Sequence, residues 1–163
     1  MSRPSSEATP ARAPRPTRGD FVAWRRATTR WADDDAYGHM NNARYYELFD
    51  TAVNAHLFEA TGVNIRELAA VGVVAETSCR YFRELAFPAP VDMGLVVDRV
   101  GTSSVVYRIG LFPADADLEA DQAYAEGRFV HVYVDNTTGP RNRAVRPLPE
   151  EIRAVVTSLT RSG

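Results

Sequence analysis

The chain has 163 residues, 45% of them hydrophobic, and a formal net charge of −2. That length suits a single domain with a real core, and the near-neutral charge argues against a nucleic-acid-binding protein, which normally carries a basic face. All 19 basic residues are arginine, so the chain has neither the lysine of a P-loop nor a Schiff-base lysine for pyridoxal phosphate.

The chain begins with a segment rich in proline and arginine over residues 1–18. Such a composition buries too little apolar surface to fold, and we expect a disordered tail. Residues 19–163 are expected to form one domain. Its first strand is predicted over residues 21–30.

A long helix is predicted next. Asn41 or Asn42 would cap its N-terminus, and the helix would run to about Ala60 and stop at Gly62. Its apolar residues recur at helical spacing on most sides, which is typical of a helix surrounded by other structure. A short helical turn is predicted over residues 64–70.

Strands are predicted after the helix, over residues 73–85, 92–100, 104–112 and 122–134, followed by a short helix after Pro149. The last of these strands places Ala123, Ala125 and Gly127 on one face, which leaves room for the long helix to lie close. This order favours an α+β fold in which one antiparallel sheet of about five strands wraps around one long central helix.

The most informative segment is WADDDAYGHMNN, residues 31–42, which places three carboxylates, a histidine and two asparagines directly before the helix. A helix start exposes unpaired N–H groups and the positive end of the helix dipole. A carboxylate beside such donors can attack a polarised carbonyl or activate water to do so. The segment therefore indicates a site for acyl transfer.

The pattern Asp35-x-x-Gly38-His39-Met40-Asn41-Asn42-x-x-Tyr45, together with the order of elements, resembles the hotdog-fold acyl thioesterases, specifically the 4-hydroxybenzoyl-CoA thioesterase-like group. Weaker support comes from residues 80–82 and 132–135. The resemblance covers about residues 21–147. It implies a hotdog fold and hydrolysis of an acyl-CoA thioester to a carboxylic acid and coenzyme A.

The resemblance also implies roles for individual residues. Asp35 would be the catalytic carboxylate, as general base or nucleophile, with His39 and Asn42 orienting substrate or water. Backbone amides of Gly38, His39 and Met40 would polarise the thioester carbonyl. Substrate contacts are expected from Tyr37, Asn41, Tyr45 and Phe49, and from Glu76, Thr77 and Ser78 of a partner's second strand. The phosphates of coenzyme A would meet Arg80, Arg83 and Arg128, with Arg141 and Arg143 equally possible.

The family places its active site at a dimer interface, so a homodimer or a homotetramer built as a dimer of dimers is expected. No cofactor is expected, because coenzyme A is part of the substrate, and neither nucleic acid nor a membrane is an expected partner. The single cysteine, Cys79, excludes an internal disulfide, and no secretory signal is visible, which together favour a cytoplasmic protein.

Each assignment has a simpler alternative. Asp35 and the asparagines are also ordinary loop and helix caps, and His39 is as easily a structural residue as a base. A metal site from Asp33, Asp35 and His39 is disfavoured because hard-ion loops rarely contain histidine, and no metal is expected.

Other functions also stay open at this stage. The His-Asn-Asn pattern resembles that of acyl-carrier-protein thioesterases. A non-catalytic protein that binds acyl ligands is possible on the same fold. A serine hydrolase is disfavoured because the chain lacks a Gly-x-Ser-x-Gly elbow, and Cys79 is expected to be inert, since no nucleophile signature surrounds it.

Overall fold

The computed structural model describes residues 13–114, 121–141 and 143–161. The five strands form one antiparallel sheet in the order β1-β3-β4-β5-β2. The α+β hotdog fold is thereby confirmed. The helices and strands are β1 (Ala23–Ala27), α1 (Asn42–Thr61), β2 (Ala70–Tyr81), β3 (Val91–Val100), β4 (Ser104–Pro113), β5 (Ala125–Asp135) and α2 (Glu150–Ser158), with short 3-10 turns at Arg18–Asp20 and Trp31–Asp33.

Helix α1 has the boundaries that its caps predict. The Asn41 side chain accepts a hydrogen bond from the Ala43 amide at 3.0 Å, and Gly62 ends the helix at a φ of 68°. Left-handed backbone of this kind favours glycine. The helix buries one face against the sheet, which confirms the long helix packed on the sheet. Its opposite side is exposed in the single chain, so the helix is not surrounded by other structure as expected.

Several predicted boundaries are wrong, including those of β2, which was predicted over residues 73–85 and spans Ala70–Tyr81. β1 ends at Ala27 because the chain turns into the 3-10 segment at Trp31–Asp33. Residues 64–70 form no helix: the Glu67 amide donates to the Asn64 carbonyl at 3.0 Å in a single turn, and from Ala70 onward the backbone pairs with β5. Cross-strand pairing overrides the local helical preference here.

The N-terminal segment is bound to the sheet further upstream than we predicted. Residues 1–12 lie outside the described residues. The Arg15 guanidinium donates to the Ala123 carbonyl at 2.8 Å, the Ala123 amide donates to the Pro16 carbonyl at 2.8 Å, and Thr17 pairs with Gln122. The predicted tail over residues 1–18 therefore extends too far, because residues 15–17 contact the backbone of the approach to β5, Arg15 through its side chain.

β2 is an edge strand whose middle is uncovered in the single chain. Residues 74–78 are exposed, and a bulge interrupts the pairing with β5 between Val74 and Glu76. An edge strand presents unpaired backbone N–H and C=O groups along one side. No helix among the described residues is long and apolar enough to cross a membrane.

The close approach of α1 to the sheet depends on Gly127. Phe49 of α1 is fully buried, and a Cβ added at Gly127 would lie 2.6 Å from its ring. The predicted run of small residues on this face of β5 thus does leave room for the helix.

We expect Gly127→Ala to lower the free energy of unfolding by about 1–3 kcal/mol, because the added methyl group overpacks the close contact between β5 and Phe49. Urea unfolding would measure the loss. The double variant Gly127→Ala/Phe49→Leu should recover part of it. If the two single effects simply add, the close contact between these residues is not the cause.

Candidate active site

The loop between β1 and α1 is held by its own backbone. The Asp35 amide donates to the His39 carbonyl at 2.7 Å, and the Gly38 amide donates to the Asp35 carbonyl at 3.1 Å, with Gly38 at a φ of 79°. The Met40 amide donates to the Leu85 carbonyl at 2.8 Å. The loop is therefore a compact turn tied to the segment that follows β2.

Of the three consecutive carboxylates, Asp33 is structural. Its side chain is 3% exposed and accepts hydrogen bonds from the Arg30 amide at 2.8 Å and the Arg30 guanidinium at 2.7 Å, with Arg44 at 3.4 Å. Burial raises the pKa of the Asp33 carboxyl, but the Arg30 hydrogen bonds and the Arg44 charge outweigh burial and lower it overall. Its carbonyl accepts from the Asn41 amide at 2.7 Å, which joins the loop to the helix start.

The Asp34 carboxylate also accepts hydrogen bonds within the chain. Its carboxylate accepts from the Phe87 amide at 3.1 Å and 3.2 Å, and this contact connects the loop to the segment between β2 and β3. Two of the three carboxylates thus hold the loop in place and leave Asp35 as the candidate for chemistry.

The Asp35 carboxylate is oriented through one oxygen only. Oδ1 accepts from the Tyr37 amide at 2.8 Å and from the His39 amide at 3.3 Å. Oδ2 has no donor among the described residues, and the side chain is exposed in the single chain. The arrangement holds the carboxylate in one direction and leaves an oxygen for a substrate or a water molecule.

The amides predicted to polarise the substrate carbonyl already donate hydrogen bonds to acceptors within the chain. Gly38, His39 and Met40 donate to Asp35 O, Asp35 Oδ1 and Leu85 O, respectively. The Asn42 amide, at the first residue of α1, has no acceptor among the described residues. The donor available at the positive end of the helix is therefore Asn42 N–H, one residue after the predicted group.

The Asn42 side chain is positioned by Tyr81, which sequence analysis did not assign a role. The Tyr81 hydroxyl donates to Asn42 Oδ1, and its ring meets the buried Tyr45 ring edge-on at 5.1 Å. Burial, with Cys79 and Tyr46 nearby, raises the pKa of Tyr81, which keeps the hydroxyl protonated as a donor. The resemblance of residues 80–82 to the family was the available signal for it.

His39 has a carboxylate partner that the sequence did not indicate. Its Nε2 lies 2.9 Å from Glu84 Oε2, with the two side chains 46% and 69% exposed. A carboxylate partner orients an imidazole and fixes its tautomer, so His39 is a positioned group at the edge of the loop.

The other predicted substrate contacts fall into three kinds. Tyr37 is 85% exposed, Asn41 is the helix cap, and Tyr45 is buried with its hydroxyl near the Leu85 amide. Phe49 is fully buried against Gly127 and belongs to the core, and its contact with substrate stays a prediction. Exposed positions in the middle of edge strand β2 are occupied by Glu76, Thr77 and Ser78.

Two of the three arginines predicted to bind coenzyme A phosphates are paired instead. Arg80 pairs with Glu126, and Arg128 pairs with Glu76, on the sheet face opposite the helix. Arg83 lies 5.7 Å over the Tyr124 ring and has no carboxylate partner among the described residues. Arg83 is therefore the most available of the three, and Arg141 and Arg143 are exposed beyond β5.

No group of three or more potential metal-ligating side chains occurs in the part of the chain that the structure describes. Cys79 is half-buried, and burial raises the pKa of its thiol to about 11. At neutral pH the thiol is protonated and is therefore a poor nucleophile.

The sequence model of the thioesterase-like superfamily matches residues 29–156, which include the whole loop and helix α1. The chain belongs to the thioesterase-like superfamily. A search of proteins with curated function finds no match.

Solved structures of the superfamily are also similar. The PA5185 protein of Pseudomonas aeruginosa is 42% identical over 91% of this chain and 99% of its own, with a TM-score of 0.82. PA2801 of the same organism, described as a candidate thioesterase, is 31% identical over 83% of this chain and 98% of its own, with a TM-score of 0.69. A variant of 4-hydroxybenzoyl CoA thioesterase bound to 4-hydroxybenzoyl CoA shares the fold at 12% identity, over 82% of this chain and 97% of its own, with a TM-score of 0.70.

We expect Asp33→Asn to destabilise this thioesterase superfamily member by about 1–3 kcal/mol at neutral pH, since it weakens a buried, charge-assisted cluster. The folded-state pKa is lowered, so the stabilisation is fully present above the unfolded pKa of about 4 and is lost as pH falls through the folded value. Denaturant unfolding of both proteins from pH 7 to pH 3 should show the difference shrinking.

The matched control is Asp98→Asn. Asp98 pairs with Arg108 at 3.1 Å but is 43% exposed, so its loss should cost less than about 1 kcal/mol. An equal effect of the two substitutions would contradict the special role of Asp33.

Proposed function

We propose that the chain hydrolyses an acyl-CoA thioester to a carboxylic acid and coenzyme A. Two features of the same loop and helix start carry the proposal. The Asp35 carboxylate is held through one oxygen, and the Asn42 amide has no acceptor among the described residues. Superfamily membership supports thioester hydrolysis as the reaction. The complex of a similarly folded thioesterase with an acyl-CoA supports coenzyme A as the carrier.

In the proposed reaction the thioester carbonyl oxygen accepts from Asn42 N–H. The positive end of the 20-residue helix α1 stabilises the negative charge that develops on that oxygen. One donor of this kind is worth about 10²–10³ in rate. The backbone therefore supplies the electrophilic half of the site.

Asp35 supplies the other half. Its free oxygen Oδ2 either removes a proton from the attacking water or attacks the carbonyl carbon to form an anhydride that water then cleaves. In both routes the C–S bond breaks, coenzyme A leaves as the thiol, and the acyl group leaves as the acid. His39, oriented by Glu84, and the Asn42 side chain, held by Tyr81, position substrate and water, and Arg83 contacts a coenzyme A phosphate.

We expect Asp35→Asn to lower kcat by at least about 100-fold, the usual contribution of a positioned base, while the fold is kept. Asparagine retains an acceptor for the Tyr37 and His39 amides, so the loop loses the charge but not its hydrogen bonds. A thiol-release assay across short, long, branched and aromatic acyl-CoAs measures the effect.

The control for this experiment is Asp98→Asn, an exposed carboxylate remote from the loop, which should leave kcat unchanged. Full activity of the Asp35→Asn protein would refute the mechanism. The alternative carrier is tested by presenting the same acyl group on an acyl carrier protein. Faster turnover of the acyl carrier protein thioester than of the acyl-CoA would indicate that carrier.

We further propose that the active unit is a dimer in which the edge strand β2 of each copy pairs with that of the other. The exposed stretch 74–78 supports this, because an uncovered edge strand is a template for pairing with another chain. Glu76, Thr77 and Ser78 lie in that stretch. Antiparallel pairing about the middle of β2 would cover the exposed Asp35 loop with the second copy.

We expect Val74→Arg to give a monomer with little thioesterase activity, because a charged side chain on an edge strand opposes pairing. Val74 is 47% exposed, and Val22, near the other edge of the sheet, is 45% exposed. Val22→Arg is therefore the matched control and should keep both the mass and the activity of the parent. Light scattering measures the mass of each variant, and the thiol-release assay measures its activity. A fully active Val74→Arg monomer would exclude a site shared between two copies.

A further inference from the structure

A small cavity lies beneath the C-terminal half of α1, apart from the proposed catalytic groups. Its volume is about 100 Å³, and its walls include the aliphatic side chains of Leu57, Leu68 and Ile152. His131 and Tyr133 of β5 line it on the sheet side. None of Asp35, His39, Asn42, Tyr81 or Arg83 lines this space, so the proposed reaction leaves it without a role.

One residue that lines the cavity has a buried polar atom without a partner among the described residues. The His131 side chain is 2% exposed, and its Nδ1 has no hydrogen-bond partner among the described residues. The rings of Phe129, Tyr107 and Tyr133 surround the imidazole edge-on at 5.1–6.3 Å and offer it no hydrogen bond. Buried polar atoms are nearly always paired, so this nitrogen indicates a bound group that completes it.

Gly72 admits the His131 ring against the backbone of β2. A Cβ at Gly72 would lie 2.8 Å from His131 Nδ1 and 3.2 Å from the Tyr133 ring. Gly72 is not one of the glycines with a positive φ, so its backbone conformation does not require glycine. The close approach of the imidazole is therefore the reason for glycine, and a larger side chain would displace the ring that lines the cavity.

The chemistry of the cavity indicates which ligand group would bind beside His131. Burial lowers the pKa of His131 to about 4, so the ring is neutral at neutral pH and offers no charge to a carboxylate. A hydroxyl both donates and accepts, and it therefore satisfies Nδ1 in either tautomer. The volume is below the roughly 150 Å³ of a cavity that admits benzene, which favours a slender aliphatic group over an aromatic ring.

The cavity is open to the protein surface. It shares Asn54, Ile65 and Arg66 with a groove of about 680 Å³ along the exposed side of α1. The groove and the cavity therefore adjoin at these three residues.

The proposed dimer places this groove beside a catalytic loop. If β2 pairs antiparallel about Glu76, Gly72 of one copy lies opposite Arg80 of the other, one strand spacing of about 4.8 Å away. Arg80 adjoins Tyr81, whose hydroxyl holds Asn42 at the helix start. The cavity of one copy therefore lies next to the site of the other.

We infer that the cavity formed by His131 and Gly72 is the distal acyl subsite of the partner copy's active site, and that it takes the hydroxyl-bearing end of an aliphatic hydroxyacyl chain. This inference rests on the proposed function. The walls bind the methylene groups, and His131 Nδ1 pairs with the hydroxyl.

The first test compares saturated acyl-CoAs with their ω-hydroxy counterparts, at even chain lengths from octanoyl to hexadecanoyl. At the chain length that fits, the hydroxyacyl form should have a kcat/KM at least about 10-fold higher, because a site built for a hydroxyl discriminates against its absence. His131→Phe and Gly72→Ala should each reduce that preference to about twofold or less. Turnover of butyryl-CoA, too short to reach the cavity, should persist in both variants.

Val132→Ala is the matched control, since Val132 neighbours His131 but faces the other side of β5. It should keep the preference for the hydroxyacyl form. Equal kcat/KM for the two substrate series in the parent at every length, or an unchanged preference in both cavity variants, would overturn the inference.

Subunit mixing tests the contribution of the partner. A dimer of one Asp35→Asn copy and one His131→Phe copy has one intact site if the cavity serves the partner's loop, and none if it serves its own. Recovery of the preference for the hydroxyacyl form after the inactive Asp35→Asn protein and the non-discriminating His131→Phe protein are mixed and allowed to exchange would support the assignment. Lack of recovery, with exchange confirmed by mass spectrometry, would overturn it.

A binding experiment separates this inference from the proposed function. Calorimetry of the parent protein with ω-hydroxydodecanoic and dodecanoic acids, with ¹⁵N signals of the His131 ring assigned through His131→Phe, reports occupancy without turnover. Tighter binding of the hydroxy acid with a shift of the His131 signals would support the subsite even if no acyl-CoA is hydrolysed. Absence of both would overturn it even if hydrolysis is found.

Discussion

The buried Asp33 carboxylate is the contact on which the rest of the site depends. Two arginines and a backbone amide hold its oxygens, and its own carbonyl binds the amide of the helix cap Asn41. This single residue therefore fixes both ends of the loop that carries Asp35. With the loop fixed, the Asp35 carboxylate and the Asn42 amide are held at the start of α1 before any substrate binds, which is the preorganisation that electrostatic catalysis requires.

The two faces of the sheet have different tasks. The face toward α1 is apolar and close-packed, with Gly127 admitting the Phe49 ring and Gly72 admitting the imidazole of His131. The opposite face carries ion pairs between strands, such as Arg80 with Glu126. Because side chains alternate along a strand, neighbouring residues of β2 and β5 contribute to different surfaces. Both surfaces end at the uncovered edge of β2, where the proposed second copy would pair.

Much of the site was visible in the sequence, and the errors have physical causes. The loop before the helix, its asparagine cap and Asp35 follow from residue order, because helix starts and caps are local features. The sequence could not show that the amides of Gly38, His39 and Met40 already have acceptors: the first two donate to Asp35 within the turn, and the third donates to Leu85, which only the tertiary structure brings close. Local pattern likewise cannot show that an arginine meets a carboxylate on a neighbouring strand, as Arg80 and Arg128 do.

The sequence by itself determined the order of strands and helix, the ends of α1 and the segment where chemistry is expected, since periodicity and capping act within a few residues. The tertiary structure decided which carboxylate keeps an oxygen without a donor and which helix-start amide lacks an acceptor among the described residues, and what partners His39 and Asn42 have. It also created the cavity at His131, which no motif marks. These features depend on residues far apart in the chain that meet only when the sheet closes on the helix, and each hydrogen-bond partner is then chosen by distance in space.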